Sequence, residues 1–303
     1  MIDETVEEIR EMQTHSSSVV AMKAARALED LLERDFASVE DFERDLERNS
    51  SALRRANPSH ASLVTTQRAI VSMVEDAGTE TVADAKDALG EAVGDVVEQV
   101  ETAKRRAAEN AMRFVEDGAT ILTHDYSSTV LEAIERAVSD GRYLTVYVTE
   151  ARPRYLGRKT ARALAEMDRV DAHLVVDGAC GHYLPECDRV FLGMDCIVED
   201  TLYNRVGTFP LAATAENVDV PVTVVGSSAK LVGEGFRFEN DFRSPSEVLL
   251  EPAEGFTVEN PAYDATPTDL LDAVVTDEGV REFCPHTERV QFTSTHSPRS
   301  SLS

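Results

Sequence analysis

The 303-residue chain has no tryptophan and only five lysines, Lys23, Lys86, Lys104, Lys159 and Lys230. Its 30 basic residues are therefore mostly arginine, against 56 acidic ones, and the formal net charge is −26. A surface this negative repels phosphates at moderate salt, which argues against nucleic acid as a direct partner. The acids are dispersed through periodic segments, so they do not form an acidic tail. Such a balance suits a high-salt cytoplasm, where screening makes the charge tolerable. No run of about 18 apolar residues occurs, which leaves no candidate transmembrane helix. The N-terminus, MIDETVEEIREMQ, lacks the apolar core of a secretory signal, so a cytoplasmic location is expected. The four cysteines, Cys180, Cys187, Cys196 and Cys284, fit neither a metal pair nor a disulfide framework. No GxGxxG follows the first strand, and GxxxxGK[ST] and HExxH are missing. A dinucleotide oxidoreductase and a P-loop enzyme are set aside, and neither a cofactor nor a metal site is expected.

What is present divides by period. The first ~115 residues repeat apolar positions at steps of three and four, as helices do. Leu89, Val93, Val96, Val97, Val100, Ala103, Ala107, Ala111 and Phe114 draw one stripe on a long helix that Asp117-Gly118 should end. Shorter helices are expected around 3–14, 17–34, 38–49 and 60–76. Arg55 to Ser59 should break the pattern, with Ser59 capping the next helix.

From 119 onward, short β-rich runs alternate with amphipathic ones: ATILTH, LTVYVTE, HLVVDG, RVFLGMD and VTVVGSS. That alternation argues for a parallel sheet covered by helices. SEVLLE and LLDAVVTDEG are expected to add a strand and close the sheet. The expected fold class is α/β: a helical domain over 1–115, a Rossmann-like domain over 116–284, and a polar tail over 285–303.

Each expected strand ends in polar residues, among them His124-Asp125, Glu150, Asp177 and Asp195. In open parallel sheets ligands bind outside the carboxyl ends of the strands, although turns are polar in any case. A second feature is Asn204-Arg205-Val206-Gly207-Thr208, just before a helix starting near Phe209-Pro210. A glycine-bearing loop at a helix start can offer backbone N–H groups to an anion, and an arginine beside it suits phosphate. A plain structural cap would look the same.

Together these residues carry a resemblance. ILTHDYSSTVL, VYVTEARPRYLGRKTA, VVDGACGHYL, GMDCIVED and NRVGTFPLA, all within 119–231, with NPAYDATPTDLLDAVVTDEGV at 260–280, closely resemble the translation initiation factor 2B alpha/beta/delta family. That family also contains methylthioribose-1-phosphate and ribose-1,5-bisphosphate isomerases. The resemblance implies a helical domain followed by a Rossmann-like one, assembled as a homodimer or with related subunits.

In the isomerases a cysteine follows the Thr-His of the first strand, and an aspartate ends a Gly-Ala-Asp motif. Here Asp195 stands at the aspartate position and Asp125 at the cysteine position. The family's Arg-Gly-Ala phosphate motif is replaced by Val19-Val20-Ala21-Met22-Lys23-Ala24-Ala25, and its Arg-Pro-Thr by Asn57-Pro58-Ser59. Arg152-Pro153, Arg158 and Asn204 remain, with Arg205 in place of a lysine. The ligand-binding set is then His124, Ser127, Ser128, Glu150, Arg152, Arg158, Asn204, Arg205, Gly207 and Thr208. Asp125 could act as a carboxyl acid or base beside Asp195, or could simply cap the helix that starts at Ser127.

Loss of the cysteine favours a non-catalytic reading. On it, the chain is a regulatory subunit with a retained sugar-phosphate or nucleotide pocket, and the resemblance implies phosphorylated initiation factor 2 among its partners. The alternative is an aldose–ketose isomerase of a phosphorylated ribose using Asp195 and Asp125. A third class is a structural oligomer with an empty crevice.

Overall fold

A computed structural model of the chain describes residues 2–11, 16–233, 236–251 and 254–283. Helices fill the N-terminal part: α1 (Ile2–Arg10), α2 (Ser17–Ala27), α3 (Val39–Ala56), α4 (Ala61–Asp76) and α5 (Val82–Ala111). Their apolar stripes converge. On α3 the buried face is Phe42, Leu46, Ser50 and Leu53, a helical spacing. These side chains pack with Leu63, Ile70, Leu89 and Val93 in one core. Ser38 starts α3 by accepting the Asp41 N–H at 3.2 Å, and Thr81 starts α5 in the same way through Asp84.

The helix ends differ from expectation in informative ways. The 17–34 stretch divides, with a 3₁₀ turn over Leu28–Glu33 after α2. Helix α3 runs past 49 to Ala56, because Ser50 and Leu53 continue its buried face. α5 ends at Ala111 in a 3₁₀ turn over Met112–Phe114, ahead of Asp117-Gly118. Ser59 does not cap α4: its hydroxyl donates to the Glu239 carbonyl, and His60 holds the cap position without a side-chain bond.

Strands and helices then alternate: β1 (Thr120–His124), α6 (Ser128–Ser139), β2 (Leu144–Thr149), α7 (Gly157–Ala165), β3 (Val170–Val175), α8 (Cys180–Tyr183) and β4 (Arg189–Leu192). Next come β5 (Cys196–Val198), β6 (Thr201–Arg205), α9 (Thr208–Asn217), β7 (Val222–Val225) and β8 (Leu231–Val232). The last strands are β9 (Tyr263–Pro267), β10 (Ala273–Thr276) and β11 (Gly279–Glu282). The main sheet has the order β11-β10-β7-β4-β1-β2-β3 and is parallel apart from β11. This is the expected α/β class, a helical part followed by a Rossmann-like sheet. Both faces are covered. Ile121, Val146 and Phe191 face α6 and α7, while Leu122, Val190 and Val224 face the side of α9.

The chain leaves β1 in one direction, to β2 and β3, and returns on the other side through β4, β7 and β10. The order therefore reverses between β1 and β4, which is where a crevice opens in such sheets. A second sheet, β8-β5-β6-β9, stands beside that point. Residues 196–205, which none of the expected strands covered, form the antiparallel pair β5–β6. One expectation is corrected here. SEVLLE forms no strand, only a 3₁₀ turn over Pro245–Glu247, while LLDAVVTDEG supplies β10. Cys284 and the polar tail lie outside the described residues. Among those residues no helix is long and apolar enough to cross a membrane.

Gly157 marks a close approach of a helix to the sheet. A Cβ there would sit 1.8 Å from the Thr149 carbonyl oxygen, whereas Gly90 on α5 has open space. Gly157→Ala should destabilise the fold by about 1–3 kcal/mol through overpacking. Gly90→Ala should stabilise it by about 0.5–1 kcal/mol. Denaturant titration of both variants checks the contrast.

Candidate functional site

The end of β1 turns sharply. His124 is fixed at both ring nitrogens, Nδ1 lying 2.6 Å from Thr149 Oγ1 and Nε2 2.9 Å from the Val206 carbonyl. Asp125 follows with φ 61°, a left-handed backbone that is strained for a residue with a side chain. Thr160 Oγ1 holds this turn by donating to the Asp125 carbonyl at 2.7 Å. Ser127, not Asp125, caps α6 by accepting the Val130 N–H at 3.3 Å. The cap role considered for Asp125 is therefore filled, and its carboxylate is directed elsewhere.

That carboxylate meets Arg205. Arg205 Nε lies 3.7 Å from Asp125 Oδ2 and 3.5 Å from Asp195 Oδ2. Asp195 follows β4 through Gly193, where any Cβ would press on Ser127 Cβ at 2.7 Å. The two carboxyls thus come from the two strands flanking the switch point, and β6 supplies the cation between them. The guanidinium also packs on the Tyr263 ring at 4.8 Å. Burial works against the Arg205 cation, but Asp195, Tyr263 and Asp125 outweigh it and hold its proton more tightly than usual. Burial raises the Asp125 pKa, against the pull of Arg205 and with Asp195 adding to the rise.

Two further groups complete the cluster, and neither was singled out from sequence. Lys230 is buried and donates from Nζ to the Met194 carbonyl at 2.7 Å. Burial lowers its pKa, with Arg205 contributing, while Asp195 opposes. His60 is also buried, and neither ring nitrogen has a hydrogen-bond partner among the described residues. Burial pushes its pKa down to about 4; Arg205 and Lys230 add to the drop and Asp195 opposes it. The Tyr263 hydroxyl is likewise buried and without a hydrogen-bond partner. Orphaned polar groups of this kind are costly unless something polar meets them.

A polar pocket opens over this cluster. Asp125, Asp195, Arg205, His124, Ser127, Ser128 and Asn204 line it, so seven of the twelve expected site residues converge. Ser16 and Ser17 enter from the helical part, with Ser16 Oγ 3.1 Å from Ser128 Oγ.

The other five lie elsewhere. Glu150 and Arg158 pair with each other at 2.7 Å, and Arg158 stacks on Tyr155. Arg152 lines a neighbouring crevice. The expected phosphate cradle at Gly207-Thr208 is already occupied: Asp264 Oδ2 accepts the N–H groups of Gly207 (2.8 Å) and Phe209 (3.0 Å). Gly207 is the N-cap, at φ 106°, and a Cβ there would strike His124 at 2.6 Å. Thr208 is fully buried and bonds Asn204 and the Arg205 carbonyl. Cys196 is buried next to Asp195; burial and that carboxylate push its thiol up to about 12, which makes it inert. A larger cavity, about 630 Å³, lies between α4, α5 and the turn after β7. Its Ser228 is satisfied by Asp277, and it gathers no comparable acid–base pair.

A Rossmann-like sheet with a buried, polar crevice at its switch point places the chain in the α/β class. Residues 13–282 match the model of the Initiation factor 2 subunit family, and the chain belongs to that family. A ribose 1,5-bisphosphate isomerase of Haloterrigena turkmenica is 33% identical, over 93% of this chain and 90% of that protein. One of Archaeoglobus fulgidus is 32% identical, over 91% and 88%. The crystal structure of the Pyrococcus horikoshii translation initiation factor eIF-2B superposes with a TM-score of 0.79 at 25% identity, covering 92% of this chain and 96% of that one. The expectation of a non-catalytic regulatory subunit is corrected here. Curated relatives at 28–33% identity, over more than 90% of this chain, carry an isomerase name.

The depressed His60 pKa generates a stability prediction with a definite sign. The unfolded imidazole takes up a proton below about pH 6.5, while the folded one resists until about pH 4. Stability therefore falls as pH drops through that window, by up to about 3 kcal/mol. His60→Leu should remove that part of the acid limb. Thermal melts of both proteins between pH 4 and 7 measure it.

Proposed function

We propose that this chain is an aldose–ketose isomerase of a phosphorylated ribose, with ribose 1,5-bisphosphate, the compound in its relatives' names, as substrate. The observation that carries the reading is the buried pair Asp125 and Asp195, bridged by Arg205 at 3.7 and 3.5 Å.

Isomerisation of a sugar phosphate needs one acid and one base at neighbouring atoms. Burial favours the protonated form of Asp125, which makes it the acid. Asp195 is the base and removes the proton from C2. The electron pair left behind forms the C1–C2 double bond as the bond from C1 to the ring oxygen breaks. Asp125 protonates that oxygen. Asp195 then returns its proton to C1, the C2 hydroxyl gives its proton back to Asp125, and a ketone forms at C2. Every proton is accounted for and both carboxyls regain their starting states. Arg205 and Lys230 offset the negative charge that accumulates on the enol. His124 is held at both nitrogens and takes no part as a base. This reading also includes a cytoplasmic location and assembly with a second copy or a related subunit.

The test is turnover of ribose 1,5-bisphosphate by the purified protein in molar KCl, followed by formation of the ketose. Asp195→Asn and Asp125→Asn should each lower kcat by at least about 100-fold, the scale of general acid–base catalysis. The rate of the unmodified enzyme should fall at high pH, as Asp125 loses its proton. Wild-type turnover no faster than the uncatalysed reaction, or full activity in Asp195→Asn, would overturn the assignment.

A further inference from the structure

A second crevice shares Asp125 and Arg205 with the polar pocket but is otherwise lined by different residues, among them Arg152, Arg154, Arg243 and Asn260. Four guanidiniums converge there in a protein whose net charge is −26. They are positioned by structure. Glu247 holds Arg243 through three contacts, 3.1 and 3.0 Å to Nε and 2.9 Å to Nη2, and lies 3.8 Å from Arg154 Nε. Asn260 Nδ2 donates to the same carboxylate at 3.2 Å. The side chains of Arg154 and Arg243 are only 22% and 12% exposed.

The backbone that carries Arg152 and Arg154 is strained on both sides, with Ala151 and Tyr155 each at φ 58°. Strain of that kind costs on the order of 1–3 kcal/mol per residue and gathers at ligand sites. Asp177 holds the turn by accepting the N–H groups of Ala151 (2.7 Å) and Arg152 (2.8 Å). The cations are close enough to repel: burial lowers the Arg154 pKa, and Arg243 and Arg205 lower it further, while Glu247 and Asp125 oppose. Glu247 serves both Arg154 and Arg243, Asp241 Oδ2 lies 3.7 Å from Arg243 Nη1, and Arg205 is divided between Asp125 and Asp195. A doubly charged anion would relieve that repulsion, and planar guanidiniums match its oxygens.

We infer that this crevice is a second phosphate subsite, in which Arg154 and Arg243, oriented by Glu247, hold one phosphate of a sugar bisphosphate while Lys230, Ser127 and Ser128 hold the other. The inference rests on the proposed sugar-phosphate chemistry for its ligand class. It places the reacting carbons between the two crevices, at the shared residues Asp125 and Arg205. It also answers a question posed by the sequence. Ala21-Met22-Lys23 carries no arginine for a phosphate, and Lys23 pairs with Glu8; cations reached through the segment after β2 and the segment before β9 take over.

Thermal-shift titrations with ribose 1,5-bisphosphate, ribose 1-phosphate and ribose 5-phosphate test this without requiring turnover. The wild type should bind the bisphosphate at least about tenfold more tightly than either monophosphate. Arg154→Gln and Arg243→Gln should each weaken bisphosphate binding by about 10- to 100-fold, the worth of one charged hydrogen bond. Each should leave the affinity for one monophosphate, the one seated beside Lys230, unchanged. Arg154→Gln leaves the Arg243–Glu247 contact in place, so it reports even if Arg243→Gln folds poorly. Arg158→Gln, outside both crevices, should bind like the wild type. Unaltered bisphosphate binding in Arg154→Gln, or equal losses for both monophosphates, overturns the subsite. Intact arginine-dependent binding without turnover would instead overturn the isomerase reading alone.

Discussion

A guanidinium removed from water has to be paired, and that requirement organises this molecule around Arg205. Its partners come from three places in the chain: Asp125 after β1, Asp195 after β4, and the Tyr263 ring on β9. Removing one partner of a buried pair leaves a charge with nowhere to go, at a cost of about 3–5 kcal/mol. The small sheet is therefore fastened to the large one by electrostatics as well as by packing. Its strand β6 must be in register with β9 for Arg205 and Tyr263 to stand opposite each other, and they do.

The same economy governs the backbone around the cluster. His124 bonds across to β2 and to the loop after β6, so the strand ends cannot splay. Gly193 and Gly207 are the points where a side chain would collide with Ser127 or His124. Asp264, from the Asn-Pro-x-x-Asp segment, closes the start of α9. An anion that belongs to the chain thus takes the helix end that sequence patterns assign to a ligand. What remains in the crevices are the side-chain cations, Lys230 and the arginines, with the His60 ring nitrogens and the Tyr263 hydroxyl lacking hydrogen-bond partners among the described residues.

Much of this was legible in the sequence, for physical reasons that can be named. The strands of the main sheet announce themselves because alternate residues such as Ile121 and Leu122 enter opposite cores, giving dense apolar runs. Their polar ends located the crevice, and Asp195, Asp125 and Arg205 were found together. What escaped is set by contacts distant in the chain. Residues 196–205 have no strong alternation, and they form strands only because β8 and β9 supply the partners. SEVLLE has the composition of a strand but no neighbour to pair with. Gly207-Thr208 looked like a free cradle because its occupant, Asp264, lies 57 residues further on. His60 and Lys230 are single residues with no local pattern, and only the fold shows that each stands beside Asp195.

Helix α5 has a mechanical consequence for the crevice. Its first half buries Ala85, Leu89 and Val93 among the N-terminal helices, and its last turns bury Ala107, Ala108 and Ala111 against the sheet. Thirty residues of continuous helix make a rod of roughly 45 Å, anchored at both ends. Such a rod resists stretching and bending, and because its buried positions share one stripe, turning it about its axis would withdraw Leu89 and Val93 from one core and Ala107 and Ala111 from the other. Ser16 and Ser17, which reach the polar pocket from the N-terminal side, belong to the layer this helix holds. The helix thus fixes both the spacing and the angle of the two layers, and with them the place of the serine rim over the Asp–Arg–Asp cluster.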